Sequence, residues 1–213
     1  MPTCLPPTKK PTSPRSLRRP VAVAITGGIG AGKTEALRAF ARLGAATVSS
    51  DEIVHHLLRT DEGVKRAIVE RLGDGVLDDE GEVDRSRVAE RVFAGRDQLA
   101  WLEALLHPLV SREYLTWRER LGGLENPPEV SVTEVPLLFE AGSQDNFDAV
   151  VVITAPEDVR RRRTKVPLEQ RSGRLIDDEE KMRRADYSYV NDGSRRKLEA
   201  FVSSVLDDLR ERG

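Results

Sequence analysis

A single cysteine, Cys4, rules out any disulfide within the chain, which fits a reducing compartment and an expected cytoplasmic location. There are only three histidines, and their spacing from one another and from the cysteine builds no metal site. No apolar run approaches the roughly 20 residues that a bilayer span requires. The longest, PVAVAI (20–25) and AVVVI (149–153), are the size of strands. No Asn-Lys pair occurs, so the Asn-Lys-x-Asp motif by which GTPases read guanine is missing. Acid is absent from residues 1–20, a segment rich in proline and basic residues. That segment lacks the apolar stretch of a secretory signal and reads as a disordered basic tail. Beyond it 29 basic residues face 36 acidic ones, a balance of −7 that argues against a broad nucleic-acid surface. Neither nucleic acid nor a membrane is expected as a partner.

What is present is a chain of 213 residues, enough for one domain with a substantial core. Its body, 21–213, alternates strand-like and helix-like segments. Strands are predicted over 20–26, 45–49, 129–135, 148–154 and 187–190. Helices are predicted over 33–43 and 52–59, from about 157 in an Arg-rich stretch, and at the C-terminus, where Leu198, Phe201, Val202, Val205, Leu206 and Leu209 form one stripe. Residues 63–121 read almost entirely as helix, broken at 73–75, at 81–82 and at Gly95, with His107-Pro108 between two helical stretches. Near-continuous apolar strands alternating with helices predict an α/β fold, a parallel five-stranded sheet flanked by helices. The block at 63–121 is too long for a simple crossover and is expected to pack as an insertion over one end of the sheet. No internal repeat is present.

The stretch ITGGIGAGKTEA (25–36) follows the first strand and opens the first helix. Its pattern Gly27-x-x-x-x-Gly32-Lys33-Thr34 is a Walker A loop. The glycines let backbone N–H groups turn inward around phosphate oxygens, and the helix N-terminus adds positive partial charge. Lys33 can reach the β- and γ-phosphates, and the Thr34 hydroxyl can ligate Mg²⁺. Gly28, Gly30, Ala31, Gly32, Lys33, Thr34 and Glu35 are the resulting candidates for binding ATP. Such a loop announces that phosphates are held, not where the phosphoryl group goes. A small-molecule kinase also needs a carboxylate near the acceptor hydroxyl, arginines that offset developing charge, and a lid against water.

Asp51 lies just after the second strand, at the carboxyl end of the predicted sheet and on the rim that carries the loop. It can orient the acceptor hydroxyl and take its proton, or cap the helix at 52–59. Glu134 closes the third strand and is either an organiser of Mg²⁺ or a surface glutamate. Glu140 can cap or pair. In RRRR (160–163), Arg160 and Arg163 share a helical face and can point at phosphates, although a run of charge is also the form of a solvated face. Arg171 and Arg174 repeat the spacing. A lone His107 reads more readily as structural than as catalytic, and the adjacent His55 and His56 diverge on a helix.

Together these residues resemble the dephospho-CoA kinase family, whose reaction completes coenzyme A biosynthesis, from about Val21 to past Asn191. ITGGIGAGKT (25–34) is similar to that family's phosphate loop, and GEVDRSRVAERVF (81–93) to its G-x-[LV]-[DN]-R segment. EALLHPLV (103–110) resembles its His-Pro helix, EVPLLFEAG (134–142) its Pro-Leu-Leu signature, and EEKMRRADYSYVNDGS (179–194) its E-K-x-x-x-A-D ending with N-x-G. The loop is shared by many kinases, whereas the later four motifs in this order are far more specific. The resemblance implies a P-loop core, a helical CoA-binding region near 63–121 and a mobile lid near 157–183. It implies transfer of the ATP γ-phosphate to the ribose 3′-hydroxyl of dephospho-CoA with Mg²⁺, by a monomer or small homo-oligomer whose partners are small molecules. It assigns Lys33 as the loop lysine, Asp51 as the base, Arg163 as a lid arginine and Asn191 to the adenine side of ATP. Arg85, His107 and Pro136 fall in segments that help form the acceptor side. Glu140 is a further candidate there, and Thr34 and Glu134 are the candidates for the metal. The chain departs from the family's Asp-x-Asp with Ser49-Ser50-Asp51, from Asp with Glu134, from Arg-Leu with Arg163-Thr164, and from a frequent lid glutamine with Leu175. A nucleoside or nucleotide kinase, and a nucleotide-dependent switch, are the alternative readings.

Overall fold

The five predicted strands all form, and they make one sheet. A computed structural model describes residues 19–93, 95–164 and 176–212. Most of the predicted tail, and the part of the predicted lid that holds Arg171, Arg174 and Leu175, lie outside the described residues. The strands are β1 (Val21–Thr26), β2 (Ala46–Ser49), β3 (Val130–Glu134), β4 (Ala149–Thr154) and β5 (Tyr187–Val190), in the order β2-β3-β1-β4-β5. The sheet is parallel, with β1 between β3 and β4. Every residue of β3 and of β4 is buried, as strands covered on both faces require.

The chain forms two compact units. The first comprises the described residues up to Val48 together with those from Arg118 onward, and it contains the sheet. Its helices are α1 (Lys33–Arg42), α6 (Glu157–Arg163), α7 (Asp178–Arg184) and α8 (Arg195–Arg212). The predicted apolar stripe of α8 packs with Leu37 and Phe40 of α1 against Val23, Ile25, Val132 and Val151 of the sheet. Asp148 fixes the entry to β1 by accepting two 2.8 Å hydrogen bonds from Arg19 and one from the Ala22 N–H. Burial pushes the Asp148 carboxyl upward, but those bonds outweigh it and hold the group below the usual carboxylate range. The carboxyl ends of β1, β3, β4 and β5 lead to the glycine loop, Glu134, α6 and Asn191 respectively, so one rim of the sheet collects the chemistry.

The second unit, Ser49–Trp117, contains α2 (Ser50–Thr60), α3 (Glu62–Leu72), α4 (Arg85–Phe93) and most of α5 (Arg96–Gly122). Leu58, Val64, Ile68, Leu72, Val76, Val88, Val92 and Leu106 form its core. The breaks expected at 73–75, 81–82 and Gly95 all fall between helices. Asp61 starts α3 by accepting from the N–H groups of Gly63 and Val64, and Asp84 starts α4 through those of Ser86 and Arg87. The expected break at His107-Pro108 is absent, because Pro108 lies inside the 27-residue helix α5. Proline removes one N–H and leaves the carbonyl four residues earlier without its helical donor.

Candidate active site

The loop between β1 and α1 is fastened by its carbonyls. Gly28 accepts from Lys33 Nζ at 3.1 Å and Ile29 from Arg160 Nε at 2.9 Å. Gly30 accepts from Arg163 Nη1 at 3.3 Å, and Ala31 from Asn191 Nδ2 at 2.9 Å and Arg163 Nη1 at 3.4 Å. In a trans peptide the C=O and the following N–H point in opposite directions. A side chain that holds a carbonyl therefore aims the next N–H group away from itself. Those of Ile29, Gly30 and Gly32 find no acceptor among the described residues, and they adjoin the N-terminus of α1. This is a ready anion site.

Gly32 has a left-handed backbone at φ 99°, and a Cβ there would stand 2.3 Å from Asn191 Nδ2. Thr34 follows in the first turn of α1, and its hydroxyl donates to Oε2 of Glu134 at 3.5 Å. Glu134 is buried, so the reading of it as a surface glutamate is wrong. At the end of β1, Thr26 donates to the Pro136 carbonyl at 3.2 Å and fixes the Pro-Leu-Leu segment beside the loop.

Several side chains take roles the sequence does not announce. Asn191 is buried, its side-chain amide donating to the Ala31 carbonyl of the loop and its side-chain oxygen accepting from the Gly193 N–H after β5. The Glu35 carboxylate pairs with Arg38, Arg42 and Arg195. Glu140 accepts from Lys181 Nζ at 2.7 Å and from the Ile176 N–H at 3.1 Å, and its buried Oε2 has no partner among the described residues. Lys181, only 2% exposed, is the residue here that sequence reasoning passes over. A lone lysine in a charged segment gives no sign of burial. The E-K motif is its only trace.

In the second unit Asp51 is exposed, in the first turn of α2. It is not the cap. The helix begins one residue before it, and Ser49 is the N-cap, its hydroxyl accepting from the Asp51 N–H at 3.2 Å. Ser49, where the family has its first aspartate, thus performs a capping acceptor's work and frees the Asp51 carboxylate. His55 lies one turn on from Asp51, on the same face of α2, and its Nδ1 is 3.4 Å from Arg85 Nη1. The i,i+4 spacing of Asp51 and His55 carries this signal in the sequence. His107 is exposed on α5. Among the described residues no group of three or more His, Cys, Asp or Glu is placed to hold a metal, and no helix is long and apolar enough to cross a membrane.

A model of the dephospho-CoA kinase family matches residues 21–197. The dephospho-CoA kinase of Protochlamydia amoebophila is 35% identical over 195 residues, which cover 88% of this chain and 96% of that one. Among solved structures, dephospho-CoA kinase from Campylobacter jejuni matches with a TM-score of 0.66 at 27% identity, over 89% of this chain and 97% of its own. A Thermus thermophilus protein matches with a TM-score of 0.70 at 29% identity, over 90% and 98%.

Proposed function

The chain belongs to the dephospho-CoA kinase family and phosphorylates dephospho-CoA with ATP in coenzyme A biosynthesis, and we propose that the acceptor is the ribose 3′-hydroxyl, oriented by Asp51. The observation that carries this division of labour is the glycine loop, whose carbonyls are engaged by side chains while the N–H groups of Ile29, Gly30 and Gly32 have no acceptor among the described residues. Those N–H groups bind the ATP phosphates. Lys33 and Arg163, held beside the loop by the carbonyls of Gly28, Gly30 and Ala31, are the cations that turn to the transferring phosphoryl group and offset its charge.

Thr34 and Glu134 offer a hydroxyl and a carboxylate 3.5 Å apart beside the loop, the hard oxygen set that Mg²⁺ takes. Mg²⁺ usually relies on one or two protein oxygens, with substrate phosphates and water completing its shell, which suits a site without a three-residue ligand cluster. Bound there, Mg²⁺ would offset the negative charge of the phosphates.

Asp51 is free to accept a proton because Ser49 carries the cap. Arg85 and His107 belong with Asp51 to the acceptor side, as do Pro136 and Glu140 in the segment after β3. The region near 63–121 is assigned to CoA and 157–183 to a lid. We propose that the enzyme acts in the cytoplasm, as a monomer or small homo-oligomer, on small molecules. Asp51→Asn tests the assignment. It should lower kcat by about 10²–10⁴ with the thermal midpoint little changed, since the cap is Ser49. A kcat near that of the wild type would remove Asp51 from the mechanism.

A further inference from the structure

Arg160, in the last turn of α6, is built onto the loop by both backbone and side chain. A Cβ on Gly30 would stand 3.0 Å from the Arg160 carbonyl oxygen and 3.2 Å from its Cα, and a Cβ on Gly28 would stand 3.0 Å from its guanidinium carbon. Two loop glycines thus serve the approach of α6 as well as the approach of phosphate. The guanidinium is held at two points. Nε donates to the Ile29 carbonyl at 2.9 Å, and Nη1 donates to Asp178 Oδ2 at 3.1 Å, where α7 begins. The neighbouring arginines behave differently. Arg161 and Arg162 pair with Glu157 and Asp158 one turn back along their own helix, on its exposed face.

We propose that Arg160 and Asp178 form a positioning pair for the loop that binds the ATP phosphates. Arg160 clamps the Ile29–Gly30 peptide, and Asp178 holds the guanidinium in that pose. Since C=O and N–H oppose each other across a trans peptide, fixing the Ile29 carbonyl on the outside aims the Gly30 N–H at the phosphates. A rotated peptide would present a carbonyl oxygen to an anion instead. The planar fork of arginine matters, because one guanidinium must satisfy a carbonyl and a carboxylate in fixed directions, which an ammonium on a flexible stem does not do. This inference rests on the assignment of residues 27–34 to the ATP phosphates.

The test compares Arg160→Met, Arg160→Lys, Asp178→Asn and the double variant Arg160→Met/Asp178→Asn. It varies ATP and dephospho-CoA separately, measures ADP binding by calorimetry, and records a thermal melt of each protein. Each single variant should raise KM for ATP and Kd for ADP by about 10-fold or more, the loss expected for a charge-assisted hydrogen bond. KM for dephospho-CoA should not move, and kcat at saturating ATP should stay within about twofold of the wild type. The double variant should be no worse than Arg160→Met, because the two side chains act as one device. If Arg160→Met fails to fold, Asp178→Asn carries the same prediction with nearly unchanged size. A fall in kcat with KM for ATP unchanged would overturn the proposal in favour of direct contact with the transferring group. Full activity of Arg160→Lys, unaltered ADP binding, or additive losses in the double variant would overturn it as well. If the wild type bound ADP but turned over no dephospho-CoA, the acceptor assignment would fail while ADP binding still decided the role of the pair.

Discussion

Three demands meet at Gly32. The residue takes a left-handed φ of 99°, it precedes the first residue of α1, and the Asn191 amide occupies the place of a Cβ. Gly32→Ala should therefore cost about 1–3 kcal/mol in backbone strain alone. It should also push Asn191 off the Ala31 carbonyl and turn the Gly32 N–H away from the phosphates. A lower melting temperature together with a KM for ATP raised by about 10-fold or more is the expected outcome. Unchanged values of both would show that the loop tolerates a side chain there. At this scale the glycines, Lys33 and Thr34 are legible because a phosphate loop is a local pattern. The part played by Asn191 is not, since its contact with Ala31 spans 160 positions. The cap at Ser49 escapes for a different reason. Ser, Ser and Asp are all good N-caps, and only the start of the helix decides among them.

Among the elements, α7 docks through a buried charge pair. Lys181 is 2% exposed and Glu140, in the segment after β3, is 12% exposed, with 2.7 Å between them. Removing one member of such a pair strands the other in a poorly solvated place. Lys181→Met should destabilise the protein by about 3–5 kcal/mol in a urea titration, and adding Glu140→Leu should restore most of the loss. A single variant as stable as the wild type would mean that the pair is solvated after all. β1 and β4 are easy to anticipate, because they are near-continuous apolar runs, and the stripe of α8 follows from its period. Pro108 misleads because proline ends most helices, yet α5 runs through it. The arginine run is half legible. Its spacing puts Arg160 and Arg163 on one face, but nothing local says that this face meets loop carbonyls.

At the scale of the whole molecule, the donor loop, Glu134 and Asn191 belong to the unit built on the sheet, and Asp51, His55 and Arg85 to the unit Ser49–Trp117. The fold class and the donor half follow from short motifs. The acceptor half rests on several scattered segments, because a hydroxyl of a large substrate is recognised by residues from many places and not by one loop. The chain matches its family from residue 21 to residue 197, which covers both units. The most direct test is ATP consumption with and without dephospho-CoA, alongside nucleosides and nucleoside monophosphates, with the product identified by mass and the phosphorylated position by NMR. The account predicts ADP formation that depends on dephospho-CoA and yields coenzyme A phosphorylated at the ribose 3′ position. ATP turnover that ignores dephospho-CoA, or that prefers a nucleoside or nucleotide acceptor, would contradict it.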